Sequence, residues 1–156
     1  MRKHSVGPPS LEGFLFSDTA IDSDTVQAYL ETEYRVSAPT AIPLRIGQSN
    51  AELAELHRRH GVDASAFITA WNPFSHPTSQ EVNRDRQQAL ARELQHLGLT
   101  FFDGLGQHPS NQWPGEPSFL ILGTALEDAK ALGVRHEQNA IVWCGSDAVP
   151  QLVLLR

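Results

Sequence analysis

The chain of 156 residues has the length of one domain, since domains most often contain about 100–150 residues. Its composition, 40% hydrophobic and 19% charged, excludes a disordered or collagen-like chain. Twelve Lys and Arg residues against eighteen Asp and Glu give a formal net charge of −6, which argues against nucleic acid as a partner.

Membrane and secretion signals are also missing from the sequence. No apolar run approaches the roughly 20 residues that a membrane span requires, and the first residues lack the apolar core of a signal peptide. We therefore expect a soluble protein that is not secreted and contacts no membrane. The single cysteine, Cys144, excludes an intrachain disulfide and a metal site built from several thiolates.

Residues 1–22 are interpreted as an N-terminal tail, followed by one domain at residues 23–156. The tail is rich in Pro, Gly, Ser and Asp around one apolar patch, formed by Leu11, Phe14, Leu15 and Phe16. This patch is expected either to dock on the domain or to bind a partner protein. A first helix is expected to begin at Ser23 or Asp24, with Val26, Tyr29, Leu30 and Tyr34 as its apolar stripe.

Three further helices are predicted from their capping residues. Asn50 precedes a helix at 51–60, which Gly61 ends. Thr78 and Glu81 have the spacing of a capping box before a helix that ends at Gly98. Thr124 and Glu127 repeat that spacing before a helix that is expected to end at Gly133.

Short apolar runs between these helices predict strands at 44–46, 66–71, 99–102, 119–122, 140–144 and 152–155. Pro43 and Arg45 indicate that the first of them lies at an edge of the sheet. The fold class is therefore α/β, with a single mixed β-sheet and helices packed on its faces. Helical connections predict that 66–71 pairs in parallel with 99–102, and 119–122 with 140–144. The helix-free segment 103–118 favours an antiparallel turn between these two blocks, and the last two strands are expected to form a hairpin.

If the two blocks run in opposite directions, three polar segments meet at one end of the sheet, where α/β proteins usually bind ligands. The candidate ligand-binding residues in these segments are Asn72, Ser75, Asn83, Arg84, Trp113, Glu116, Ser118, Gln138 and Asn139.

Each candidate also has a purely structural interpretation. Asn72 before Pro73 is typical of a turn, and Arg84 with Glu116 is as consistent with a structural ion pair as with a ligand contact. Trp71, Trp113 and Trp143 are expected in the core or at its rim. His57 and His60 are expected to be exposed rather than to bind a metal, and Cys144 to be buried and unreactive. The sequence indicates no metal site and identifies no cofactor.

Several of these segments resemble a bacterial family called domain of unknown function 3293. The resemblance is carried by Phe67-Ile-Thr-Ala-Trp-Asn-Pro-Phe-Ser75, Glu81-x-Asn83-x-x-Arg86, Trp113-Pro-x-Glu-Pro-Ser118 and Gln138-Asn-Ala-Ile-Val-Trp143. It extends from about Tyr29 to the C-terminus. Relatives have Tyr where this chain has Phe74, so one hydroxyl is missing here. The resemblance implies a bacterial cytoplasmic protein and supplies no activity.

The sequence leaves three functions open. The first is a non-catalytic binding or regulatory module, because the amide and guanidinium groups of the candidate site recognise ligands but do not transfer protons at neutral pH. Its partner would be a small polar ligand or a protein. The second is a small hydrolase or transferase with Glu116 as base and Arg84 stabilising an anion. The third is a protein-interaction module that uses the apolar patch at 11–16.

Overall fold

A computed structural model of the chain describes residues 19–38, 40–110 and 114–156. The apolar patch at 11–16 and Trp113 therefore lie outside the described residues. In chain order the elements are α1 (Ser23–Glu31), β1 (Glu33–Ala38), β2 (Thr40–Leu44), α2 (Ala51–Arg59), β3 (Ser65–Ile68), α3 (Gln80–His96), β4 (Phe101–Gln107), β5 (Glu116–Leu122), α4 (Leu126–Arg135), β6 (Ala140–Cys144) and β7 (Pro150–Leu154). A single 3₁₀ turn, Pro73–Ser75, lies between β3 and α3. The predicted α/β class with one sheet is confirmed.

The strands lie in the order β2-β1-β4-β5-β3-β6-β7, and every neighbouring pair is antiparallel. Both predicted parallel pairings are therefore wrong, because β5 separates β3 from β4 and β3 separates β5 from β6. The predicted directions are nevertheless correct. Since neighbours alternate, β3 and β4 run one way, and β5 and β6 run the other. A helical crossover returns the chain to the same end of the sheet, but it does not require the two strands to be neighbours.

The antiparallel turns are predicted correctly, and β6 has the predicted bounds, but β4 and β5 are longer than expected and β7 begins two residues earlier. β4 and β5 pair from Phe101 opposite Ile121 to Gly106 opposite Glu116, and β6 and β7 form the closing hairpin. β2, which contains Pro43, is an edge strand as predicted, but it spans Thr40–Leu44 and shares only Leu44 with the strand predicted at 44–46. The sequence analysis missed β1: Tyr34 belongs to this strand and not to the first helix, which ends at Glu31.

α1, α2 and α3 begin where short polar side chains accept backbone N–H groups, and two predicted caps are wrong. Asn50 caps α2 as expected, with its Oδ1 accepting from the Leu53 N–H at 2.9 Å. The cap of α3 is Ser79 instead of Thr78, since the Ser79 hydroxyl accepts from the Val82 N–H at 3.1 Å. Glu81 is therefore not at the capping-box position. α4 has no side-chain cap, because Ala125 precedes it and Thr124 is buried.

Gly133 lies inside α4 and does not end it. A Cβ at this position would lie 2.5 Å from Cδ1 of Leu155 and 2.7 Å from Cγ2 of Ile141. The glycine therefore permits close packing between α4 and the sheet.

The helices cover both faces of the sheet. Val26 of α1 and Leu53 and Leu56 of α2 belong to one buried cluster, together with Leu120 and Leu122. The opposite cluster contains Leu90 and Leu94 of α3, Ala129 and Leu132 of α4, and Phe119 and Ile121 of β5. Successive residues of β5 thus point to opposite faces, as the pleat of a strand requires. No helix in the described ranges is long and apolar enough to cross a membrane.

Candidate functional site

The predicted meeting of polar segments at one end of the sheet is present. β3 is antiparallel to both β5 and β6, so the C-terminal end of β3 adjoins the N-terminal ends of its two neighbours. The segment after Ile68, the start of β5 at Glu116, and Gln138 with Asn139 before β6 therefore lie at the same end. The strand directions bring these segments together, even though the predicted pairing is wrong.

The turn after β3 has a strained backbone. Asn72, Phe74 and Ser75 have φ values of 46°, 54° and 61°, in the left-handed region that glycine normally occupies. Asn tolerates this conformation, but Phe and Ser rarely adopt it. Each residue in such a conformation destabilises the folded state by of order 1–3 kcal/mol, and such residues cluster at functional sites. The Phe74 N–H is held by the carbonyl of Glu137 at 2.7 Å.

Asn83 of α3 locks this turn. Its side chain is only 2% exposed, and its Oδ1 accepts from the Asn72 N–H at 2.8 Å. The Nδ2 of Asn83 in turn donates to Oδ1 of Asn72 at 2.8 Å. Nδ2 of Asn72 donates to Oε2 of Glu116 at 3.1 Å. Three predicted site residues are thus joined, and Thr78 completes the network, since its N–H donates to Oδ1 of Asn72 at 3.2 Å and its carbonyl accepts from Nδ2 of Asn83 at 3.5 Å.

Glu116 is a carboxylate with little solvation. Burial raises its pKa above the ordinary value of 4.5, and the hydrogen bond from Asn72 opposes that change. No hydrogen bond to the other carboxylate oxygen, Oε1, occurs in the part of the chain that the structure describes. Ser118 makes a local contact only, since its hydroxyl donates to the Glu116 carbonyl at 3.0 Å.

A second polar cluster lies beside the turn, around the hydroxyl of Tyr29. This hydroxyl is hydrogen-bonded to the Ser75 hydroxyl and accepts from Nδ2 of Asn139 at 3.1 Å. Oδ1 of Asn139 accepts from Arg156 at 3.1 Å, and the Arg156 guanidinium lies 4.4 Å from the centroid of the Phe74 ring. Burial raises the pKa of Tyr29, so this phenol stays protonated at neutral pH. Ser75 and Asn139 were predicted, whereas Tyr29 and Arg156 were not.

Arg86 and Gln138 hold the same turn from the α4 side. Nε of Arg86 donates to the Ala70 carbonyl at 3.0 Å, one terminal nitrogen donates to the His136 carbonyl at 2.9 Å, and the other pairs with Glu137 at 3.1 Å. Nε2 of Gln138 donates to the carbonyl of Trp71 at 3.3 Å. Arg86 was not among the predicted site residues, although its place in the Glu81-x-Asn83-x-x-Arg86 motif was the available signal.

Arg84 lies on the opposite side of the sheet from Glu116. It lines a groove with Pro117 and Phe119, which point to the α3 face of β5, whereas Glu116 points to the α1 face. No ion pair joins Arg84 to Glu116 or to any other described acid. The interpretation of the two residues as a structural ion pair is therefore wrong, because neighbouring positions of a strand face opposite ways.

The groove beside Arg84 has a volume of about 330 Å³. The residues that line it are Trp71, Arg84, Gln87, Gln88, Ala91, Pro117 and Phe119. Gln87 is only 8% exposed, and its Oε1 accepts from the Ala70 N–H at 2.9 Å. Its Nε2 is the only buried side-chain nitrogen or oxygen among the described residues that lacks a hydrogen-bond partner. A buried donor without a partner lowers the stability of the folded state by about 1–3 kcal/mol and requires an explanation.

Sequence analysis missed Gln87, although a signal was available. The buried positions of α3 are Asn83, Gln87, Leu90 and Leu94, which form one stripe at helical spacing. Two amides within a stripe that otherwise faces the core are unusual enough to mark the position.

Three other side chains that the sequence singled out, Trp143, His57 and Cys144, do not line this groove. Trp143 is half-buried against the α3-side core, and its indole N–H donates to the Thr124 carbonyl at 3.1 Å. His57 is buried and hydrogen-bonded to Ser65 at 2.8 Å, so its predicted exposure is wrong. Cys144 is buried as predicted, and burial raises its pKa to about 12. The described residues include no group of three or more side chains placed to hold a metal ion.

The central part of the chain matches a known protein family. Residues 68–141 match a family described as protein of unknown function (DUF3293). The predicted resemblance is confirmed. The matched range includes α3, the strained turn and β5, and every predicted site residue from Asn72 to Asn139. No curated protein and no solved structure matches the chain.

Proposed function

We propose that this protein is a non-catalytic binding module that holds a small ligand in the groove between α3 and β5. The observation that carries the proposal is the Nε2 of Gln87, a buried donor without a partner on a residue that lines that groove. A ligand that accepts a hydrogen bond there would remove the cost of the unpaired donor.

The shape and composition of the groove support this proposal. A volume of about 330 Å³ lies at the small end of the range of about 300–1,000 Å³ that is usual for ligand sites. The walls at Trp71, Ala91, Pro117 and Phe119 are apolar, and Arg84 and Gln87 add polar groups. Mostly apolar walls with a few polar groups are typical of small-molecule sites.

The same residues favour recognition over catalysis. Among the seven lining residues only Arg84 is charged, and a guanidinium does not exchange protons at neutral pH. The rest are aromatic, amide, alanine or proline side chains. No lining residue therefore supplies a general base or a nucleophile.

A hydrolase or transferase that uses Glu116 is the second candidate. Its support is the raised pKa of this carboxyl group and the lack of a described partner for its Oε1. The separation of Glu116 from Arg84 by the sheet counts against the predicted role of Arg84 as its anion stabiliser. The bacterial, cytoplasmic setting and the partner-binding role of residues 11–16 stay predictions.

The test is a thermal-shift screen of the full chain against a metabolite library, repeated on Gln87→Glu. This variant keeps the acceptor for the Ala70 N–H and replaces the free donor by an acceptor. We expect compounds that raise the Tm of the wild type to bind Gln87→Glu at least about tenfold more weakly.

Gln95→Glu is the matched control, because Gln95 is exposed on the same helix and lies outside the groove. It should bind the same compounds as the wild type. A library in which no compound stabilises the wild type, or in which every stabilising compound binds Gln87→Glu equally well, would contradict the proposal.

A further inference from the structure

We infer that the ligand of this groove is a carboxylate attached to a flat apolar body, such as a single-ring aromatic acid. The inference rests on the proposed function and specifies the chemistry of the same site.

At Gln87 and Arg84 the groove offers hydrogen-bond donors, which favours a ligand group that accepts hydrogen bonds there. The Ala70 N–H requires an acceptor from Gln87, which fixes Oε1 on that side and leaves Nε2, a donor, without a partner. Arg84 presents donors only. An Arg guanidinium and a neighbouring amide N–H can donate to the two oxygens of one carboxylate. A neutral carbonyl or a hydroxyl group fits these donors less well.

The charge around the groove favours an anion. None of its lining residues is acidic, and Arg84 forms no ion pair within the described ranges, not even with Glu81 or Asp85 on its own helix. Glu116, the only carboxylate of β5, points to the other face of the sheet. Asp103 of β4 pairs with Phe119 on the groove's face, but it is exposed and does not line the groove.

The walls determine the rest of the ligand. Trp71 and Phe119 supply aromatic surface, and Pro117 and Ala91 complete an apolar lining. Flat rings pack well against such walls, and the volume of about 330 Å³ suits a body of about one ring. Free phosphate or acetate would meet Arg84 but leave the aromatic walls in contact with water.

The test measures binding of benzoate, benzamide, acetate and inorganic phosphate to the full chain by NMR. The signals are the side-chain amide of Gln87 and the indole N–H of Trp71, assigned by comparison with Gln87→Glu and Trp71→Phe. We expect benzoate to shift both signals and to bind at least about tenfold more tightly than the other three probes, because only benzoate combines the charge with a ring.

Variants of α3 separate the charge from the apolar walls. Arg84→Gln should weaken the binding of benzoate about tenfold and leave the binding of benzamide unchanged. Arg92→Gln removes an exposed charge from the same helix outside the groove, so it should leave both affinities unchanged. Circular dichroism confirms that each variant is folded.

Two outcomes overturn the inference in different ways. If benzamide binds as tightly as benzoate and shifts Trp71, or if Arg84→Gln leaves benzoate binding unchanged, the ligand is not an acid, but the binding function stands. If neither the four probes nor any library compound shifts Gln87 or Trp71, the ligand class and the proposed function both fail.

Discussion

Replacing Asn83 by Ala should destabilise the protein by more than the loss of a surface amide would, because Asn83 locks the strained turn at 72–75. Its side chain makes two bonds of 2.8 Å with Asn72, one to the backbone N–H and one to Oδ1. Both disappear in Asn83→Ala.

The magnitude follows from what each broken bond leaves behind. The Asn72 N–H loses its acceptor in a half-buried place, which costs about 1–3 kcal/mol. Oδ1 of Asn72 keeps the Thr78 N–H as a donor at 3.2 Å, so the second loss is smaller, about 0.5–1.5 kcal/mol. We expect a total decrease of about 2–4 kcal/mol in the free energy of unfolding. For a chain of this length, that is a fall of about 5–15 °C in Tm.

Urea unfolding followed by tryptophan fluorescence measures this decrease. Asn50→Ala is the matched control: it removes the same amide, which caps α2, and should cost about 1 kcal/mol. If Asn83→Ala costs no more than Asn50→Ala, the turn is not held by Asn83, and the interpretation of the strained backbone is refuted.

Three further predictions concern charge, reactivity and the N-terminus. Glu116→Gln should be as stable as the wild type or more stable at pH 7. The folded-state pKa of Glu116 is raised above 4.5, so the wild type loses stability as the pH rises through that pKa. Glu116→Gln does not titrate, so any stability that it gains over the wild type should disappear below pH 4.5. Cys144, with a pKa of about 12 and no exposure, should resist alkylation at pH 8 until the protein is unfolded in urea. Deletion of residues 1–22 should leave a folded domain, but removal of buried Ile21 and of the Asp22 cap should cost about 2–4 kcal/mol by urea unfolding.

Each of these predictions has a result that contradicts it. A large decrease in Tm for Glu116→Gln at pH 7 would mean that the charged carboxylate stabilises the fold. Alkylation of native Cys144 at the rate of a free thiol would show that its strand opens readily. An insoluble or molten deletion variant would mean that the tail completes the core.

Local signals in the sequence determined most of the secondary structure. The amide of Asn50 and the spacing of Leu53 and Leu56 specify α2, since a cap and a helical stripe involve only neighbouring residues. The same kind of signal failed at β1. Tyr34 continues the apolar spacing of α1, but it alternates with Val36 and Ala38 on one face of a strand. The two patterns overlap there, and pairing with β2 and β4 favours the strand.

The sequence by itself also determined that Asn72, Ser75, Glu116 and Asn139 come to one end of the sheet. Strand direction follows from whether a connection is a helical crossover or a turn, and both kinds of connection are visible in the sequence. The order of the strands and the face of each side chain were decided only by the tertiary structure. A shift of one residue in register moves every side chain of a strand to the other face, so no local pattern could separate Glu116 from Arg84. The unpaired donor of Gln87 likewise became visible only when α3 packed on β5, because a missing partner is a property of the whole surrounding structure.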